Sequence, residues 1–182
     1  MRVVISGTHG SGKSTLISDF ALLHSTWMIL PDPYEDVDTA EATPGASLFA
    51  HQLRIAAHRL GEPADGHVIA ERGPLDFVAY LIALDDLRRS STSAELTGRS
   101  IEVAAEAMRL VDLLVVLPLS EVDAIEIGDD EDLELRDAMN LALLDLVDDP
   151  ELTGGATVVE ITGNQQERLA RLLESIAGIS RR

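Results

Sequence analysis

The chain has 182 residues, 46% of them hydrophobic, which is enough for one domain with a packed core. Thirty-two acids against 14 bases leave a formal charge of -18, so the long-range field opposes nucleic-acid and anionic-membrane partners. Cysteine is absent, which excludes disulfides, thiolate metal sites and cysteine nucleophiles.

The first predicted element is a strand over residues 3–6, an apolar run (VVIS) of the kind buried on both faces. With a strand starting so early, the expectation is that no signal or transit peptide precedes it, and no stretch approaches the ~18 apolar residues of a membrane span. The expectation is a cytoplasmic protein. Next comes Gly7-Thr8-His9-Gly10-Ser11-Gly12-Lys13-Ser14-Thr15, which fits G-x-x-x-x-G-K-[ST] without a mismatch. Its glycines let successive backbone N–H groups converge on one anion, and a helix predicted over 12–24 aims its positive end there. Lys13 would reach the β- and γ-phosphates, and Ser14 offers a hydroxyl to Mg²⁺. With glycine near 7% of residues, the four fixed positions coincide by chance in about one chain per hundred of this length. Lys13 is also the sole lysine of the chain, against 13 arginines.

A strand over 27–30 leads into Pro31-Asp32-Pro33. A carboxylate there can accept the proton of an attacking hydroxyl, or it can simply make a Pro-Asp turn. A helix over 47–60 carries Gln52. The strand over 68–71 ends on Glu71-Arg72, at the end of a parallel sheet where ligands sit. Glu71 can hold Mg²⁺ through water, and Arg72 can bind substrate or a transferring phosphoryl group. The helix over 74–88 opens on proline. Its Asp76 and Tyr80 share a face and either brace Arg72 or pack. Its apolar residues Phe77, Leu81 and Leu84 read as core or as a homodimer face.

A helix over 94–110, a strand over 113–117 and a helix over 131–147 follow. Residues 148–157 read as a connection. A strand over 157–161 precedes a helix over 164–177, with Asn164 as N-cap and Glu167 in capping-box spacing. Strands alternating with helices imply βαβ units and a parallel sheet. Neither a repeat nor a linker divides residues 1–182. The five histidines lack metal-ligand spacing, His51 and His58 included.

Taken together, the P-loop, Asp32-Pro33, Gln52 and Glu71-Arg72-x-x-x-Asp76 resemble deoxynucleoside kinases. They are also similar to thymidylate kinases and to AAA domains of the ribosylnicotinamide-kinase type. The resemblance implies a three-layer α/β P-loop fold, with five parallel strands in the order 2-3-1-4-5 and helices on both faces. It implies ATP or GTP on residues 7–15 and Mg²⁺ on Ser14 and Glu71. Asp32 would stand at the catalytic base, Gln52 would face the acceptor's base or ring, and Arg72 would contact the acceptor. It also implies an arginine-bearing lid over about 119–137. Here residues 121–137 hold nine acids and one base, Arg136. Either Arg136 performs the lid's whole task, or catalysis is weak, or the acceptor is cationic. The leading expectation is a kinase acting on a small hydroxyl-bearing acceptor, a nucleoside or nucleotide. The alternatives are a nucleotide-binding regulatory module with little turnover and a simple NTPase.

Overall fold

The computed structural model describes residues 1–36, 45–89, 94–119 and 132–181. Largely apolar runs of three to five residues form the sheet: β1 Arg2–Ser6, β2 Met28–Leu30, β3 Val68–Glu71, β4 Leu113–Val116 and β5 Thr157–Glu160. All pairings are parallel, and the order is β2-β3-β1-β4-β5. Val4 lies level with Ala70 on one side and Leu114 on the other. The expected fold class and strand order are therefore observed.

The helices are α1 Lys13–Leu23, α2 Ala46–Gly61, α3 Pro74–Asp86, α4 Ala94–Met108, α5 Leu133–Val147, α6 Pro150–Thr153 and α7 Gln165–Ile179. A 3-10 turn, Pro33–Asp36, follows β2. Strand residues alternate between two cores, as the period of two requires. Val3, Ile5, Leu113 and Val115 pack with Leu16, Ile17 and Phe20 of α1 and Leu172 of α7. Val4, Leu114 and Val116 face the other way, onto Leu53 of α2, Val78 of α3 and Leu143 of α5. Phe77, Leu81 and Leu84 are buried inside this second core, so they are core and not a dimer face.

One short element departs from the sequence reading. The connection after residue 147 contains α6, because Asp149 accepts from the Glu151 amide and Pro150 takes the first helical turn. The capping box of α7 forms as expected, with Asn164 accepting from Gln166 and Glu167 and Glu167 accepting from the Asn164 amide. Of the lid region, residues 120–131 lie outside the described residues. No helix among the described residues is long and apolar enough to cross a membrane.

Candidate active site

At the carboxyl end of β1 the chain turns sharply. Gly7 has φ 152°, and a Cβ there would stand 2.6 Å from Ser11 Oγ and 2.8 Å from the Leu117 carbonyl. Only glycine fits, and the loop curls back until α1 begins at Lys13. The Lys13 ammonium is buried and donates to the Thr8 carbonyl at 2.8 Å, with Ser11 Oγ at 3.5 Å. Burial pulls its pKa down to about 7, and the neighbouring Arg72 adds to that shift, while Asp76, Asp32 and Glu71 oppose it. An anion arriving in the loop would favour the charged form.

Asp76 anchors this turn. It is fully buried and accepts from Ser6 Oγ at 2.5 Å, the Gly7 amide at 2.8 Å and the Gly73 amide at 2.8 Å. It thus joins the start of the P-loop to the β3–α3 turn. Burial raises its pKa, against the pull of Arg72 and of these donors. Of the two roles open for Asp76 and Tyr80, bracing Arg72 falls to Tyr80. Arg72 Nη1 lies 3.4 Å from the Tyr80 hydroxyl, and its guanidinium carbon is 5.5 Å from the Tyr80 ring centroid.

Arg72 carries a left-handed backbone, φ 70°, at the end of β3. This is a strained conformation for a residue with a side chain, and such strain gathers at functional sites. The Gly73 after it has no space for a Cβ, which would lie 2.6 Å from Val4 Cγ1. The turn delivers Arg72 Nε to Asp32 Oδ2 at 2.7 Å, a largely buried ion pair. Burial alone would push the Asp32 pKa up. The charge and hydrogen bond of Arg72 and the Tyr34 amide hold it below its ordinary value. Burial also works against the Arg72 charge, and Tyr80, Asp32 and Asp76 outweigh it, so Arg72 stays protonated.

Beside this pair, Ser14 Oγ donates to Glu71 Oε1 at 2.6 Å. Two hard oxygen donors thus stand together at the mouth of the P-loop, the donor type Mg²⁺ takes. From the opposite side, Arg136 in the first turn of α5 donates from Nε to the His9 carbonyl at 2.9 Å. The one basic residue of the acidic stretch is therefore on the phosphate loop.

The chain matches the AAA domain family over residues 2–168. It belongs to that family. In three dimensions this AAA domain is similar to the deoxyadenosine kinase of M. mycoides, whose structure holds dCMP and dCDP, with a TM-score of 0.73 and 16% identity. That alignment covers 98% of this chain and 100% of the kinase. A second structure of that kinase, with dATP bound, gives 0.69 at 15% identity over 97% and 100% of the two chains. The thymidylate kinase of Candida albicans gives 0.67 at 16% identity, over 97% of this chain and 91% of its own. No curated protein matches the sequence significantly. The AAA domain is thus a P-loop domain of nucleotide-kinase-like fold.

Within it, a cavity of about 520 Å³ runs from Ser14, Glu71 and Arg136 past Asp32 and Arg72 to Phe49, Gln52 and Tyr80. The aromatic rings of Phe49 and Tyr80 stack at 4.5 Å. Gln52 is fully buried, yet its Oε1 and Nε2 have no partner among the described residues. A buried primary amide left unpaired costs about 1–3 kcal/mol at each end, so both ends await a ligand or ordered water. The sequence-derived candidates Ser14, Asp32, Gln52, Glu71, Arg72 and Arg136 thus converge on one space, and Lys13 lies next to it in the loop.

Sequence reasoning missed two braces. Arg168 of α7 is buried and donates to the Ser11 carbonyl at 2.7 Å and the Gly163 carbonyl at 2.6 Å, fastening the P-loop from behind. Arg89, just past α3, pairs with Asp132 and Glu134 at the start of α5. Neither residue belongs to a local motif, so the sequence held no signal for its partner.

Proposed function

We propose that this AAA domain transfers the γ-phosphoryl group of ATP or GTP to a small hydroxyl-bearing acceptor of the nucleoside or nucleotide class. One observation carries the reading: the phosphate loop opens into a further space lined by the buried Gln52 amide, which has no partner among the described residues. A domain that only hydrolyses its nucleotide needs no such space. Residues 7–15 would hold the triphosphate through backbone amides and Lys13. Ser14 and Glu71 would hold Mg²⁺, which supplies neutralisation of the β- and γ-phosphate charge when bound. Asp32, kept ionised by Arg72, accepts the acceptor's hydroxyl proton. Arg72 orients the acceptor oxygen, and Arg136 offsets charge on the group in transfer. Gln52 offers a paired donor and acceptor to a planar ring edge, beside the Phe49 and Tyr80 rings. The likeness in fold to kinases seen with dATP, dCMP and dCDP supports this acceptor class.

The test is ADP release from Mg-ATP by the full chain, with and without a panel of nucleosides, nucleotides and small alcohols. Acceptor-dependent turnover that disappears in Asp32→Asn is expected. The acidic stretch over 121–137, with its single base, favours a second reading, a nucleotide-binding module with little turnover. Tight Mg-ATP binding with no turnover under any acceptor would establish that reading instead.

A further inference from the structure

The reading above leaves a nucleoside and a nucleotide as equal acceptors. The placement of the basic side chains separates them. Of the described lysines and arginines, only Arg72 and Arg136 line the cavity. The segments 37–44, 90–93 and 120–131 contain no lysine, arginine or histidine, so they hold no further cation for an acceptor. Arg136 is at the His9 carbonyl, and Lys13 is inside the P-loop, both on the side of the nucleotide phosphates. Arg168 is committed to the Ser11 and Gly163 carbonyls, and Arg89 to Asp132 and Glu134. That leaves Arg72, whose charge Asp32 already offsets at 2.7 Å. Three carboxylates line the same cavity: Asp32, Glu71 and Asp132.

A phosphate on the acceptor brings a charge of about -1.5 to -2. Apart from Arg136 and the His9 imidazole, which stand on the P-loop side, it would meet only Arg72, whose charge is already offset, and it would lie close to the Asp32 carboxylate, a desolvated like-charge contact. The chemistry of the attacking atom points the same way. A phosphate monoester has a second pKa of about 6, so its oxygen is already ionised at neutral pH and needs no base. A hydroxyl does need one, and Asp32 is a carboxylate held ionised in the cavity wall.

We propose that the acceptor carries no phosphate and is an uncharged or cationic hydroxyl compound of the nucleoside type, so that the product is its monophosphate. This rests on the phosphotransferase reading. The acceptor oxygen forms a bond to the γ-phosphorus. The bond from that phosphorus to the β–γ bridging oxygen breaks, and its electron pair leaves with ADP. The hydroxyl proton passes to Asp32.

Matched pairs decide it: deoxyadenosine, deoxycytidine, thymidine and guanosine against their 5′-monophosphates, with Mg-ATP and the full chain, read as acceptor-dependent ADP release. At least one nucleoside should exceed its own monophosphate in kcat/KM by about 100-fold or more, the scale of a like-charge contact costing several kcal/mol. A monophosphate turned over as well as or better than its nucleoside overturns the proposal and leaves the phosphotransferase standing. Absence of acceptor-dependent release across the whole panel overturns both.

Discussion

The P-loop and the first turn of α5 face each other across the cavity, and they are fixed in opposite ways. The loop is held from inside the protein. Asp76 takes three donors around its first glycine, Arg168 holds the Ser11 carbonyl, and Lys13 ties back to Thr8. The α5 turn is held at the surface. Arg89 pairs with Asp132 and Glu134 in solvent, and Arg136 reaches over to one carbonyl of the loop. Buried, hydrogen-bonded charges are costly to disturb, whereas exposed pairs are weak and screened by salt. The P-loop is therefore preformed, and Arg136, tied to it by one bond to the His9 carbonyl, is held less firmly. A transferase has use for that difference, because the cradle must wait for nucleotide while the closing charge must follow the group in transfer.

The contrast can be broken at several points. The largest effect is expected from Arg136→Ala, which should lower kcat by about 10³-fold while Mg-ATP binding by calorimetry changes much less, since no other base lies in that stretch. Asp76→Ala comes next. It strands two backbone amides and a hydroxyl in the interior, so the denaturant midpoint should fall by the equivalent of about 3 kcal/mol.

Lys13→Met should cost about 10- to 100-fold in Mg-ATP affinity, the worth of one or two charge-assisted bonds. The free protein should behave oppositely. The Lys13 pKa falls from 10.5 when unfolded to about 7 when folded, so the unfolded chain binds the extra proton between those values. The cost of burying the charge is thus present in full below about pH 7 and fades toward about pH 10.5. Denaturation midpoints should show Lys13→Met stabilising the empty protein near neutral pH and ceasing to do so at high pH. The smallest effect belongs to Arg89→Ala, with a two- to fivefold loss in kcat, about the scale of an exposed pair. Salt titration sharpens the comparison: the wild type should lose this advantage as ionic strength rises, and the variant should be insensitive.

How far these features could be read ahead depends on the range of the interactions that fix them. The runs VVIS and LLVV, and the glycine pattern ending in Lys13-Ser14, are local, and the strands and the loop follow from them directly. Glu71 and Arg72 could be placed at a strand end by the same means. The left-handed backbone of Arg72 could not, because its surroundings, the tight approach of Gly73 to Val4 and the pair with Asp32, join residues far apart in the chain. Arg168 meets Ser11 across 157 positions, a proximity that only the completed sheet creates. The short α6 had a local signal, Asp149-Pro150 before Gly154, but the many turn-forming residues around it read as loop. Gln52 could be placed on a helix from its pattern alone; that its amide has no partner among the described residues emerges only from the folded packing around it.

The single lysine also makes the site chemically addressable. Arginines do not react with acylating reagents, so Lys13 is the one side-chain amine such a reagent can modify in this chain. Its pKa of about 7 leaves a large neutral, nucleophilic fraction at physiological pH, whereas an ordinary lysine is almost wholly ammonium. Site-resolved mass measurement of acylation at Lys13, counted apart from the amino terminus and compared with and without nucleotide, therefore reads occupancy of the P-loop without an engineered probe.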